Sequence, residues 1–150
     1  SLLVLDGDDA VFLYRVPPRG GMPLLTSSRM PAFATAAGRV LLAGQRDVLL
    51  PGPFPQLTPW TVTDPGRLGE IIADVRECGW ALVDQEYEEG VRSFSAPVRD
   101  SAGWVVAALG MSVPSTVELA AIRCEYVPAL MSAADQISAA LGAGYEPRAV

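Results

Sequence analysis

The sequence predicts an α+β fold built on one antiparallel six-stranded sheet with flanking helices, and three observations carry that prediction. Extended runs come in two groups of three, with two helical patterns between the groups. The links inside the second group are too short for a parallel crossover, so its strands must run antiparallel. A last helical pattern closes the chain, giving the order β-β-β, α, α, β-β-β, α.

The first runs lie at about 2–5, 10–16 and 22–29, and "DGDD" and "PPRGG" supply turn chemistry between them. "TAAGRVLLAG" predicts a helix capped by Thr35, with Ala36, Ala37 and Gly38 in its first turn and Val40 and Leu41 on its apolar face. The proline-rich "PGPFPQLTPW" predicts a loop. In "TDPGRLGEIIADVRECG", Asp64 and Pro65 start a helix and Gly79 stops it, with Leu68, Ile71, Ile72 and Val75 as its buried stripe. Strands at 80–87, 91–99 and 104–113 follow, joined by "EEG" and "DSAG". The last helix is expected to open with a capping box from Ser115 to Glu118. Its stripe reads Leu119, Ile122, Tyr126, Leu130, Ala134, Ile137 and Leu141, and Pro128 predicts a kink or two abutting helices. Residues 1–142 are expected to form one domain and 143–150 a frayed tail.

Composition narrows the function classes. The longest nearly apolar run, "WVVAALGMSV", falls well short of the roughly 18 residues that suggest a membrane span, so a soluble protein is expected. The chain starts at Ser1 inside an apolar run with no basic segment before it, which suggests a piece of a longer cytoplasmic protein. A net charge of −6 and a pI near 4.5 argue against a nucleic-acid surface on this piece. Histidine is absent, which removes Ser-His-Asp and Cys-His catalysis and every histidine metal site. Cys78 and Cys124 form no CxxC pair, and no phosphate-cradling glycine loop is present, so neither metal nor cofactor is expected.

One feature of "VRSFSAPVRDSAGWVVAALGMSV" (91–113) points to a site. Alternation along two paired strands puts Val91, Ser93 and Ser95 on one face with Ala108, Gly110 and Ser112. The opposite face carries Phe94, Ala96, Val98, Val105, Ala107, Leu109 and Met111. Carried through the "EEG" turn, the alternation adds Val83, Gln85 and Tyr87 to the small face. Such a face either lets a helix approach closely, which the pattern alone favours, or leaves room for a ligand. The helix start at Thr35 is its natural partner, because first-turn N–H groups lack intrahelical acceptors and favour an anion. The carboxylates of "DQEYEEG" (84–90) are expected to be a solvated strand end and turn; paired acids for glycosidase-type chemistry are the less favoured alternative. Core or edge packing is expected for Trp60, Trp80 and Trp104.

"SRMPAFATAAGRVLLAG", "LTPWTVTD", "VRECGWALVDQEYEEGVRSFSAPVRDSAGWVVAALGMSVP" and "AADQISAALG" closely resemble, in order, the effector-binding domain of the isocitrate lyase regulator (IclR) family of bacterial transcription factors. The resemblance implies a GAF-like sensor domain that would follow a winged helix-turn-helix domain not included in this chain. It implies a homo-oligomer, dimer or tetramer, that meets DNA only through that missing domain and does not engage a membrane. It also implies a small carboxylic-acid effector held by Ala36, Ala37, Val83, Ser93, Gly110 and Ser112, with Met22, Met30 and Val91 as apolar walls. Members resembling the glyoxylate and pyruvate responders have Asp, Cys and Ser where this chain has Val83, Ser93 and Gly110, which argues for a larger, less polar acid. "GRVLLAG" and "LVDQEYEEGVRS" resemble most the branch that controls protocatechuate, 4-hydroxybenzoate and β-ketoadipate catabolism. The expectation is therefore a sensor of an aromatic or dicarboxylic acid; an oligomerisation-only module and a carboxylate enzyme are the rivals.

Overall fold

In the computed structural model, which describes residues 1–16 and 28–144, all strands join one antiparallel sheet. Strands β1 (Leu2–Asp6) and β2 (Asp9–Tyr14) form a hairpin turned by Gly7 at φ 60°, a conformation that glycine adopts without a Cβ clash. Strand β3 (Arg29–Pro31) pairs with β2. Strands β4 (Ala81–Asp84), β5 (Val91–Arg99) and β6 (Val105–Pro114) form a second meander. Pairing of β1 with β6, Leu3 opposite Ala108, fuses the two meanders into the order β3-β2-β1-β6-β5-β4. The run expected at 22–29 is described only from its end, and "PPRGG" and Met22 lie outside the described residues, as do 145–150 of the expected tail.

Helices sandwich this sheet. Helix α1 (Ala36–Ala43), entered through a 3-10 turn at Ala32–Ala34, packs on β5 and β6. Helix α2 (Pro65–Cys78) packs on α1, capped by the Asp64 carboxylate at its start and by Gly79 in the left-handed region at its end, as the sequence predicts. This side holds one core with Leu3, Val40, Leu41, Leu68, Ile72, Val75 and Val83. On the other side α3 (Leu119–Ala121), a π-helical turn (Ile122–Tyr126) and α4 (Val127–Ala140) cover a second core, with Phe94, Ala96, Val98, Ala107, Ile122, Val127, Leu130 and Ala134.

Four expectations are corrected. The capping box does not form: β6 runs to Pro114, and Glu118 stands at the helix start without a side-chain cap bond. At Pro128 the abutting helices expected there are present, with Pro128 in the first turn of α4, but a π turn precedes it and its wider i→i+5 bonding advances the buried stripe by one position. Val127 is buried where Tyr126 was expected, and Tyr126 and Leu141 are exposed. A bulge opposite the Val98–Arg99 step moves Val105 to the α1 side of the sheet, where it packs against Gly44. Strand β4 ends at Asp84, because Gln85 turns into the left-handed region at φ 59°.

Candidate functional site

The small face of β5 and β6 is present in the expected register, Ser93 opposite Ser112, Ser95 opposite Gly110, and Val83 on β4 opposite Ser93. Helix α1 covers it unevenly. Ser95 and Ala108 are sealed beneath the helix, and the Ser95 hydroxyl donates to the Leu109 carbonyl at 2.8 Å. Toward Ser93, Gly110 and Ser112 the cover ends, leaving a cavity of about 360 Å³. Both readings of the small residues therefore hold, on different halves of one face.

Ala36, Ala37, Val83, Ser93, Gly110, Ser112, Met30 and Val91 all line this cavity; Met22 lies outside the described residues. Thr35 sets the helix start, its Oγ accepting from the Gly38 N–H at 3.2 Å and donating to the Pro31 carbonyl at 3.2 Å. Gly38 is required there, since a Cβ would overlap the Ala32 backbone. Ala36 and Ala37, first-turn residues whose amides find no acceptor within an α-helix, line the cavity. A Cβ on Gly110 would lie 3.6 Å from Leu3 Cδ1 and 3.9 Å from Ala37 Cβ, so its absence widens the space beside α1 without relieving a clash. Gln85 is not on this face: with the strand broken it bonds to Asp84 and accepts from the Gly90 N–H.

The structure adds wall residues that the pattern did not assign. Phe12 and Arg15 close the side toward β2, with the Arg15 guanidinium 3.5 Å from the Phe12 ring centroid. Alternation from the buried Ala10 through Phe12 is the signal that could have placed this ring. Tyr87, expected on the small face, and Glu88 also line the cavity, so among the described residues it carries one cationic and one anionic side chain. At the Ser1 end, the Ser1 nitrogen donates to the Gly110 carbonyl at 2.9 Å and the Gly110 N–H donates to the Ser1 carbonyl at 2.8 Å, which extends the β1–β6 pairing along the cavity.

The acidic stretch is not the solvated turn the sequence suggests. Glu86 is buried against Arg39, only 1% exposed, in a two-point pair with Nη1–Oε1 at 2.8 Å. Arg39 Nε also donates to the Phe33 carbonyl, and the Val62 N–H donates to Glu86 Oε2. Thr58 and Thr61 hydroxyls donate to the backbone carbonyls of Gln85 and Glu86 at 2.7 and 2.6 Å. These bonds clamp the 58–62 loop onto the segment that carries Tyr87 and Glu88 to the cavity. Asp84 instead pairs with Arg92 at 2.8 Å, so Asp84 and Glu86 are each held by an arginine of their own.

The model of the family described as "Bacterial transcriptional regulator IclR C-terminal" matches residues 1–139. The Pca regulon regulatory protein of Pseudomonas putida is 34% identical over 142 residues, covering 89% of this chain and 49% of that protein. The chain thus spans about half the length of this relative. An IclR homologue of Microbacterium hydrocarbonoxydans, solved with 4-hydroxybenzoate, superimposes with a TM-score of 0.83 at 29% identity, covering 93% of this chain and 59% of that one. The PobR inducer-binding domain of Acinetobacter, a double mutant solved with 3-hydroxybenzoic acid, gives 0.76 at 29% identity, covering 92% and 86%. These relatives are transcriptional regulators, and the Pca protein falls in the branch that the sequence phrases resemble. The chain belongs to the IclR family, as the C-terminal effector-binding domain of such a regulator.

Proposed function

We propose that the cavity beside α1 binds a small aromatic carboxylic acid and that its occupancy controls DNA binding by a full-length regulator. The carrying observation is that the amino end of α1 and the small face of β5 and β6 border one cavity, of a size suited to a single-ring acid. The carboxylate would receive N–H bonds from Ala36 and Ala37, with the Ser93 or Ser112 hydroxyl completing its shell. Phe12, Met30, Val83 and Val91 would flank the ring. Hydroxybenzoates bound in two structural neighbours support the aromatic class.

A dicarboxylate is the second reading, favoured by Arg15, which brings a cation to the cavity wall. In the full protein the domain would self-associate as a dimer or tetramer in the cytoplasm, with DNA contacted by the separate winged-helix domain. Among the described residues no helix is long and apolar enough to cross a membrane. Thermal unfolding with 4-hydroxybenzoate, protocatechuate, β-ketoadipate and pyruvate tests the proposal. A ligand at about 100 times its dissociation constant should stabilise the domain by roughly 2.7 kcal/mol. An aromatic acid that does so favours the first reading, β-ketoadipate alone the second, and no stabilisation by any acid would leave an oligomerisation module.

A further inference from the structure

A second cleft, of about 420 Å³, lies at the other end of α1, between Ala43 and Gly44, the last turn of α2, and the β5–β6 hairpin. Three arginines line it, Arg46, Arg76 and Arg99, with the half-exposed Trp104. This is unusual for a chain of net charge −6. Elsewhere Arg29, Arg39, Arg67 and Arg92 each sit on a carboxylate. The three cleft arginines have no carboxylate within 4.0 Å among the described residues. The acid of the hairpin turn is engaged within the turn: Asp100 Oδ1 accepts the N–H groups of Ala102 and Trp104 at 2.9 and 3.0 Å.

Each guanidinium has a protein contact that is not a carboxylate. Arg76 donates from Nε to the Ala43 carbonyl at 2.9 Å and from Nη2 to that of Gln45 at 3.3 Å, which offsets the negative end of α1. Arg99 Nη1 donates to the Gly103 carbonyl at 3.0 Å, and Arg46 lies over the Trp104 ring at 4.5 Å from its centroid. A guanidinium has five donors, so each of the three keeps several directed at no protein acceptor among the described residues. Like charges gathered on one cleft repel each other, and fixed forks of this kind match the oxygens of carboxylate and phosphate. We propose that this cleft is a second ligand site, independent of the cavity at the amino end of α1, for a small organic anion with two or more negative charges borne on carboxylate or phosphate groups. Arg46, Arg76 and Arg99 hold the oxygens, and the exposed edge of Trp104 contacts the carbon skeleton.

The test follows the Trp104 indole N–H resonance of this chain during titration with citrate, with inorganic phosphate and, at matched ionic strength, with sodium chloride. The expected result is a saturable shift with citrate or phosphate, the responding probe telling carboxylate from phosphate recognition, and none that saturates with chloride. In the Arg46→Gln/Arg99→Gln double variant, which leaves Arg76 on α1, binding should weaken at least about tenfold, since losing one charged hydrogen bond already accounts for that factor, while the cooperative thermal unfolding transition is retained. A shift that chloride reproduces, the absence of a saturable shift with both citrate and phosphate, or saturation that survives in the double variant would overturn the proposal.

Discussion

The two faces of the β5–β6 hairpin are built from the same strands and solve opposite problems. Toward α4 the hairpin presents Phe94, Ala96, Val98, Ala107 and Leu109, and Ile122, Val127, Leu130 and Ala134 fill the space against them. Toward α1 it presents Val91, Ser93, Ser95, Ala108, Gly110 and Ser112, and the space is filled only over Ser95 and Ala108. Void lining forfeits dispersion contacts, so a hollow face lowers stability unless something else holds the sheet. The filled α4 face and the Arg39–Glu86 clamp supply that support. The contrast teaches that the cavity is a local exception in a packed molecule, placed where helix cover ends.

The largest expected effect comes from breaking the clamp. Glu86→Ala leaves the Arg39 charge buried with one neutral acceptor, the Phe33 carbonyl, and should cost roughly 3–5 kcal/mol. Urea unfolding measures it; a loss below about 1 kcal/mol, the range of an exposed pair, would show that the pair is solvated in solution. Close behind is the filled face. Leu130→Ala should cost about 2–5 kcal/mol through lost burial and a residual void. Measured well below its melting temperature, the variant should keep its affinity for 4-hydroxybenzoate; an affinity that falls with stability would mean that the two faces are not separable.

How much of this was legible in the sequence depended on how local each signal is. The register of β5 and β6 and the caps at Thr35, Asp64 and Gly79 were readable because turn length, alternation and cap chemistry act over a few residues. The small face was readable for the same reason. Arg39 with Glu86 was not, since 47 residues separate partners that look like ordinary surface charges until the 58–62 loop folds over them. Nor was the π turn: Pro128 announced a disturbance, but only packing on Phe94 and Ala96 decides which residue the extra width turns inward. Alternation failed at Gln85 and at Val105, where one left-handed residue and one bulge reset the face count.

Filling the hollow should have a smaller effect on stability and a larger one on binding. At Gly110 a single Cβ meets only ordinary contacts, so Gly110→Ala should leave unfolding nearly unchanged. Gly110→Leu sends a branched side chain either into the cavity, abolishing 4-hydroxybenzoate binding at little cost in stability, or against Ala37, overpacking by about 1–3 kcal/mol. Calorimetry and melting together separate the two; a variant that folds normally and still binds would displace the ligand site from this face. Thr35→Ala removes the bond to the Gly38 N–H and should cost about 1 kcal/mol, with a parallel loss of affinity because the same turn borders the cavity.

The finest test sets two serines of one strand against each other. Ser93 and Ser95 point to the same face two residues apart, yet the Ser95 hydroxyl is spent on the Leu109 carbonyl under α1, whereas that of Ser93 has no protein partner among the described residues and borders the cavity. Removing each therefore touches a different quantity. Ser95→Ala should lower stability by about 0.5–1.5 kcal/mol, the net value of a typical buried hydrogen bond, and leave ligand affinity alone. Ser93→Ala should leave unfolding alone and weaken aromatic-acid binding by a similar free energy, roughly twofold to tenfold in dissociation constant. Paired urea unfolding and calorimetry on the two variants read out both. If Ser93→Ala changes neither quantity, the hydroxyl is a bystander and the carboxylate is held by α1 alone; if it costs stability as Ser95→Ala does, the half of the face taken to be open is closed in solution.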